Sequence, residues 1–184
     1  MRKLSIIFFI FIFIPNNSHS SENVVKFLKE GKKIVFIRHA LAPGNGDPNN
    51  FDIKDCSTQR NLNDEGRAQS KRIRNFFEKN NIKIDRVLSS EWCRCKDTAK
   101  IAFGKFETFS ALNSFYETRF SKNKSKQMKD LREYISKWES DSNLIIVTHY
   151  VVILDILDRG TSSGEMIISD KNYNIIDNKI FNDF

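Results

Sequence analysis

The sequence predicts an α/β protein, a three-layer sandwich in which helices flank a central, mostly parallel sheet. Two observations predict this class. Apolar, β-rich runs alternate with amphipathic stretches of helical periodicity, and two runs, IVFIRH and NLIIVTH, are apolar enough to be buried on both faces of a sheet. The chain has 184 residues, 40% of them apolar, so it is long enough to bury one sizeable core. One folded domain is therefore expected.

The first twenty residues predict an export signal that precedes this domain. Arg2 and Lys3 come before the eleven-residue apolar run LSIIFFIFIFI, and small residues suit cleavage after Ser20. The run is well short of the roughly 20 residues that span a bilayer, although an uncleaved membrane anchor stays open as an alternative. We therefore expect a signal peptide over 1–20, a mature domain over 21–184 with no stable membrane span, and a periplasmic or secreted location.

The first half of the mature chain is predicted to run helix, strand, helix, strand. A short helix stops at Gly31, and KKIVFIRH is a buried strand that gives way to the turn-rich segment LAPGNGDPNN. Residues 63–79 predict a helix capped by Asn63 or Asp64. A second strand follows over residues 86–90.

The second half continues the alternation of helices and strands. One stripe of apolar residues at helical spacing comprises Trp92, Cys95, Ala99 and Phe103. A short strand over residues 106–110 and an irregular stretch come next. A second helical stripe comprises Met128, Leu131, Ile135 and Trp138. The last predicted strand, NLIIVTH, leads directly into YVVILDILD.

The charge balance does not indicate a nucleic-acid partner. The formal net charge is +7, which becomes +5 once the predicted signal is removed. The sequence has no run of five or more Lys and Arg and no zinc-ligand spacing, so the excess fits solvated helix faces or a general attraction for anions.

Three cysteines, Cys56, Cys93 and Cys95, stand in a chain that is expected to reach an oxidising compartment. Cys93 and Cys95 are too close in sequence to bridge comfortably on a helix. Either Cys56 pairs with one of them, or all three are buried thiols. The sequence has no Cys-x-x-Cys, so a thioredoxin-like role is unsupported.

Two histidines, His39 and His149, stand at the ends of apolar strands. In parallel sheets ligands bind beyond the carboxyl ends of the strands, so this placement indicates a site, although a single histidine beside a core strand is more often structural. Arg38 at a strand end and Arg94 in a first helical turn both suit an anion that accepts two hydrogen bonds, and phosphate fits. A metal site is weakly supported, because no third ligand lies at a metal-ligand spacing.

Four segments, IVFIRHA, LNDEGRAQS, LSSEWCRCKDTA and LIIVTHYVV, together resemble the histidine phosphatase superfamily, whose members include phosphoglycerate mutases. The resemblance covers about residues 33–168 and implies the phosphoglycerate mutase-like fold of branch 1. It implies hydrolysis of a phosphomonoester through a phosphohistidine, without a metal or another cofactor.

The resemblance also assigns roles to individual residues. It implies that His39 is the nucleophile, that Arg38 and Arg94 hold the phosphoryl oxygens, and that His149 completes the pocket. Asn45, six residues after His39, either contacts phosphate or serves only turn chemistry in GNGDP.

Proton delivery to the leaving group is the remaining role. Glu117 is the best candidate for the acid, although it could equally be a surface carboxylate paired with Arg119.

Two departures from the family pattern lie in the first loop: Ala40 replaces the usual Gly, and Leu41 stands where Glu or Gln is common. Together with APGNGDP, QRNL, WCRC and LNSF, they resemble exported members related to lipopolysaccharide-core phosphatases. The expected partner is a small phosphorylated substrate or a phosphorylated glycolipid of the envelope. A phosphomutase, or a noncatalytic phosphate-binding module of the same fold, remains the alternative.

Overall fold

The computed structural model describes residues 19–182, which form a six-stranded mixed sheet covered by helices on both faces. The strands β1 to β6 are Ile34–Arg38, Ile84–Ser89, Glu107–Thr108, Asn143–Thr148, Met166–Ser169 and Ile175–Lys179. The helices α1 to α6 are His19–Glu30, Asp64–Lys79, Cys93–Phe103, Thr118–Ser121, Lys124–Lys137 and Tyr150–Leu157. The strand order is β3-β2-β4-β1-β5-β6, which places β1 and β4 side by side at the centre.

The two central strands explain why the site forms where it does. β1 and β4 are parallel, and their register pairs Ile37 with Val147 and Arg38 with Thr148. Every residue of β4 is buried, as expected for a strand that is covered on both faces. The residues that follow the two strands, His39 and His149, are therefore brought to the same edge of the sheet.

The core consists of two layers, one on each face of the sheet. Val35 and Ile37 face the layer that includes α1, α2 and α3, whereas Ile34 and Phe36 face the layer that includes α5 and α6. This alternation follows from the two-residue period of side chains along a strand. The predicted three-layer sandwich is confirmed.

The sheet differs from the prediction at one side. Strands β1 to β4 are parallel where they pair, but β5 pairs antiparallel with both β1 and β6. The sequence pattern does not predict these two strands. The four-residue β5 is short, and β6 lies in an Asn-rich segment that resembles low-complexity sequence.

Two tryptophans mark helix ends that the periodicity alone misplaces. Trp92 is the N-cap of α3 and Trp138 is the C-cap of α5, so both lie at the boundaries of these helices and not inside them. The predicted signal peptide falls mostly outside the described residues, since α1 begins at His19. Within residues 19–182, no helix is both long enough and apolar enough to cross a membrane.

Candidate active site

The site lies where β1 and β4 end. The backbone N–H of His39 donates to the carbonyl of Thr148 at 2.9 Å, which continues the strand pairing by one residue. The ring centroids of His39 and His149 are 5.5 Å apart, and both side chains are buried. The structure thus brings together the two histidines that the sequence singled out.

The tautomer of His39 is fixed by its own segment of backbone. Its Nδ1 lies 2.8 Å from the carbonyl oxygen of Ala40, which can only accept, so Nδ1 carries the proton. Nε2 is then left with a lone pair, and the Nε–H of Arg94 donates to it at 3.2 Å. This nitrogen faces the pocket in the form that a nucleophile requires.

His149 presents the opposite nitrogen to the pocket. Its Nε2 lies 2.8 Å from Ser90 Oγ, whose hydroxyl in turn donates to Asn113 Oδ1 at 3.0 Å. Because the Ser90 proton is used on Asn113, His149 Nε2 must be the donor, and Nδ1 is the acceptor that faces Arg94 NH2 at 3.5 Å.

Both imidazoles are held in the neutral form. Burial, followed by the positive charge of Arg94, holds the pKa of His39 well below its usual value. The same two causes lower the pKa of His149. His39 is therefore a neutral imidazole near neutral pH, with its proton on Nδ1.

Arg94 makes contacts on every side of its guanidinium group. Besides the two histidines, it meets the buried carboxylate of Asp47, which accepts from NH1 at 2.8 Å. The first turn of α3 places Arg94 there, as the sequence predicted. Arg38, at the end of β1, donates from NH1 to the carbonyl of Thr161 at 2.7 Å and lies against the ring of Tyr150.

These side chains surround a cavity of about 150 Å³, a volume that suits a phosphoryl group and not a whole drug-sized ligand. The residues that line it are Arg38, His39, Asn45, Gly46, Asp47, Arg60, Arg94, Ser114, Tyr116, Glu117, His149, Tyr150 and Val151. Every residue that the sequence assigned to the site is among them.

The sequence analysis missed two charged residues of this lining, Asp47 and Arg60. Arg60 donates from Nε to the carbonyl of Gly46 at 2.9 Å and adds a third guanidinium to the cavity wall. Both belong to the segment between β1 and α2, in which GNGDP indicated only turns. The motif QRNL was a signal for Arg60, but nothing in its spacing indicated which way the side chain points.

A disulfide ties this segment to α3. It joins Cys56 to Cys93, with the Cα atoms 5.7 Å apart, which selects one of the predicted pairings. Gln59 Oε1 also accepts from the backbone N–H of Cys93 at 2.9 Å. Cys95 is a free, buried thiol, and burial raises its pKa to about 12, so it is not a competing nucleophile near neutral pH.

Asn45 and Glu117 both reach the cavity, and their roles remain predictions. Asn45 is exposed and donates from Nδ2 to Tyr116 Oη at 3.3 Å. Glu117 accepts from the backbone N–H of Asp47 at 2.9 Å through Oε1, and its Oε2 lies 2.7 Å from Arg119 NH2. Glu117 thus lies at the site and also has the arginine partner that the alternative reading expected.

The loop after His39 accommodates both departures from the family pattern. Ala40 is fully buried in a small cluster with Ala42 and Leu62. Its N–H donates to Thr98 Oγ1 at 3.0 Å, and its backbone does not adopt a positive φ, so the extra methyl causes no strain. Leu41 donates its N–H to Gln69 Oε1 at 3.0 Å.

The backbone of Gly164 contacts the loop that begins at the end of β1. It has a φ of 69°, and its N–H lies 3.1 Å from the carbonyl of Arg38 and 3.2 Å from that of His39. A Cβ at this position would lie 2.2 Å from the amide carbon of Gln69, and the positive φ also favours glycine. The segment over residues 163–165 therefore supports the nucleophile loop, and none of its residues lines the cavity.

Among residues 19–182, no group of three or more His, Cys, Asp or Glu side chains is arranged to hold a metal ion. The expectation of turnover without a metal or another cofactor remains a prediction.

A family model identifies the family of the chain, and solved structures show its fold. The family model of the histidine phosphatase superfamily (branch 1) matches residues 34–143 of the chain. The chain has no significant match among curated proteins.

Two solved structures show the same fold. A structure of the protein histidine phosphatase SixA complexed with tungstate is 14% identical, with a TM-score of 0.55 over 80% of this chain and 96% of that one. Phosphoglycerate mutase from Thermus thermophilus is also 14% identical, with a TM-score of 0.58 over 79% of this chain and 97% of that one.

Proposed function

Because the chain belongs to the histidine phosphatase superfamily, branch 1, we propose that it is an exported, metal-independent phosphatase that hydrolyses a phosphomonoester through a phosphohistidine on His39. The observation that carries the proposal is the state of His39: Nδ1 is held by the Ala40 carbonyl, and the Nε2 lone pair points at the Arg94 guanidinium inside a cavity of phosphoryl size.

The first step transfers the phosphoryl group to His39. A phosphoryl oxygen accepts the hydrogen bond that Arg94 Nε–H donates to His39 in the free protein. The Nε2 lone pair of His39 is then free for attack. The Nε2–P bond forms as the P–O bond to the alcohol breaks, and Glu117 in its acid form gives a proton to the leaving oxygen. Arg38, Arg60 and Arg94 stabilise the charge on the transferring group.

The second step returns the enzyme to its starting state. Water attacks phosphorus, the Nε2–P bond breaks, and inorganic phosphate leaves. The Glu117 carboxylate takes the proton from the attacking water, which restores its acid form, and His39 returns to the neutral imidazole with its proton still on Nδ1. The atoms and protons balance without another reactant.

Two observations support an oxyanion as the occupant of the cavity. The three arginines of the wall provide forked donors, which suit phosphate. The SixA structure of the same fold is complexed with tungstate, a tetrahedral oxyanion. Since the cavity holds about 150 Å³, the alcohol part of the substrate must lie outside it.

Export to the periplasm or the medium is supported by the residues before Ser21 and by the disulfide, which persists in oxidising compartments. The intact mass of protein recovered from a bacterial host tests this part. We expect a mature species that begins near Ser21 and has one free thiol. A chain in the cytosol that still begins at Met1 would contradict export.

A substrate screen in the presence of a chelator tests the activity. The panel comprises sugar phosphates, nucleotides, phosphoproteins, phosphorylated lipid A core fragments and an aryl phosphate. We expect release of inorganic phosphate by the wild-type protein and by the surface variant Lys122→Ala, and none by His39→Ala. Conversion of a substrate to its phosphate isomer without phosphate release would instead indicate a phosphomutase, and binding without turnover a noncatalytic module.

A further inference from the structure

The Asp47 carboxylate lines the same cavity, where its negative charge repels a phosphoryl dianion. Its side chain is only 3% exposed, and it lines the same cavity as His39 and Arg94. A buried carboxylate at this place weakens the binding of phosphate in the ground state, because like charges repel more strongly away from bulk water. The proposed chemistry gives Asp47 no direct part, so its presence requires another reason.

Four hydrogen bonds hold the carboxylate of Asp47. Oδ1 accepts from the backbone N–H of Arg60 at 3.0 Å and from Arg94 NH1 at 2.8 Å. Oδ2 accepts from Trp92 Nε1 at 3.0 Å and from Arg94 NH1 at 3.1 Å. Burial would raise the pKa of Asp47, but the hydrogen bond and charge of Arg94, together with the hydrogen bonds from Arg60 and Trp92, hold the pKa below its usual value. The group is therefore a fixed anion with no freedom to turn.

The contacts divide the guanidinium of Arg94 into two parts. Nε and NH2 form one edge, which faces His39 Nε2 and His149 Nδ1. NH1 points away from that edge to Asp47. A guanidinium binds an oxyanion with two parallel donors only when one edge is turned to it, so the hold on NH1 decides which edge the incoming phosphoryl group meets.

We propose that Asp47 is a positioning residue that fixes Arg94 with its Nε–NH2 edge toward the phosphoryl group as it is transferred to His39. Asp47 acts through Arg94 and not on the substrate, and this inference rests on the proposed phosphatase function. Without the carboxylate, NH1 keeps only its longer contact with the Arg60 carbonyl at 3.4 Å, so it can bind phosphate in a second orientation, farther from His39. The negative charge of Asp47 weakens phosphate binding in the ground state, whereas the alignment of Arg94 accelerates the transfer step.

This division predicts opposite effects on two measurable quantities. Asp47→Asn removes the charge and keeps the size of the side chain. We expect kcat to fall about 10- to 100-fold, because the Arg94 guanidinium is then less well aligned with the phosphoryl group. We expect the Kd for inorganic phosphate to fall about threefold or more, because the repulsion is gone and a neutral amide oxygen holds NH1 more weakly than a carboxylate does. A residue that served only the fold would weaken phosphate binding and turnover together.

The experiment measures kcat with an aryl phosphate and the Kd of inorganic phosphate by calorimetry, on the full protein with its disulfide formed. The matched control is Asp52→Asn, an exposed aspartate of the same segment whose Oδ1 bonds to the backbone of Lys54; both quantities should keep their wild-type values. A fall in kcat with tighter phosphate binding supports the proposal. An unchanged kcat, or a parallel loss of both, overturns it.

Asp47→Glu keeps the inference testable if the Asn variant does not fold. It retains the charge but moves the carboxylate by one methylene, so we expect kcat to fall without any gain in phosphate affinity, and wild-type kcat would overturn the proposal. If the wild-type protein hydrolyses no phosphomonoester, the proposed function fails. The phosphate-binding measurement still decides the role of Asp47, since unchanged or weaker binding by Asp47→Asn contradicts it.

Discussion

Two regions of the chain meet at the cavity, and they are built by different means. The ends of β1 and β4 carry Arg38, His39 and His149, and the strand register places them. The segment over 42–61, which carries Asp47 and Arg60, has no long element. It is held by single hydrogen bonds and by the disulfide. The regular sheet positions the nucleophile. The irregular segment contributes Arg60, one of the three arginines that line the cavity.

The difference explains how much the sequence could predict. Both histidines could be assigned because each follows an apolar run, and parallel strands bring such positions to one edge. Arg94 could be placed in a first helical turn by periodicity alone. These predictions depend on local pattern and a general rule of sheet topology, and the structure places all three residues together.

Asp47 and Arg60 could not be placed by the same reasoning. Asp47 meets Arg94 across 47 residues of chain, and no periodicity records such a contact. Arg60 turns into the cavity because its Nε and NH1 bond to carbonyls of the preceding loop. The choice between Cys93 and Cys95 as partner of Cys56 depended on the same long-range packing.

Arg94 contacts both regions, so its loss should have the largest effect. Arg94→Gln removes the guanidinium from the transferring group, and we expect kcat/KM to fall by about 10³ to 10⁵. The variant also leaves Asp47 buried without its ion-pair partner, so the thermal midpoint should fall. Arg67→Gln, at a half-exposed ion pair between α2 and α3, is the matched control and should keep its activity. Comparable activity of the two variants would contradict the assignment.

Removal of the disulfide tests the irregular region by itself. The bond closes a loop with a sequence separation of 37, so the chain-entropy estimate of its stabilisation is about 4 kcal/mol. We expect Cys56→Ser to lower the free energy of unfolding by up to this amount, measured with urea. Reductant should destabilise the wild type and leave the variant unchanged. If reductant has the same effect on both proteins, the bond does not hold this segment.

Proton delivery by Glu117 should give an effect that depends on the leaving group. We expect Glu117→Gln to slow alkyl phosphates by about 10² and to leave aryl phosphates, whose leaving groups need no acid, within a few-fold of wild type. Steady-state kinetics on a matched pair of substrates measures this. Equal slowing of both would show that Glu117 serves only the ion pair with Arg119.

The smallest effects are expected from pH. The pKa of both histidines is lowered, so the NMR signals of their ring protons should not titrate near 6.5. Below that pH the unfolded chain takes up protons that the folded protein does not. Stability contributed by the neutral, buried rings is therefore present above pH 6.5 and declines as the pH falls below it. Titration of either ring in the folded protein at 6.5 would contradict the buried, neutral site.

Direct detection of the phosphoenzyme tests the central claim. Protein mixed with a labelled phosphoryl donor in the presence of a chelator is quenched within the first turnover and digested, and the labelled peptide is sequenced. We predict a label that is acid-labile and base-stable, that lies on His39, and that is absent from His39→Ala. A wild-type protein that turns over without such a label, or a label that persists in His39→Ala, would contradict the phosphohistidine mechanism.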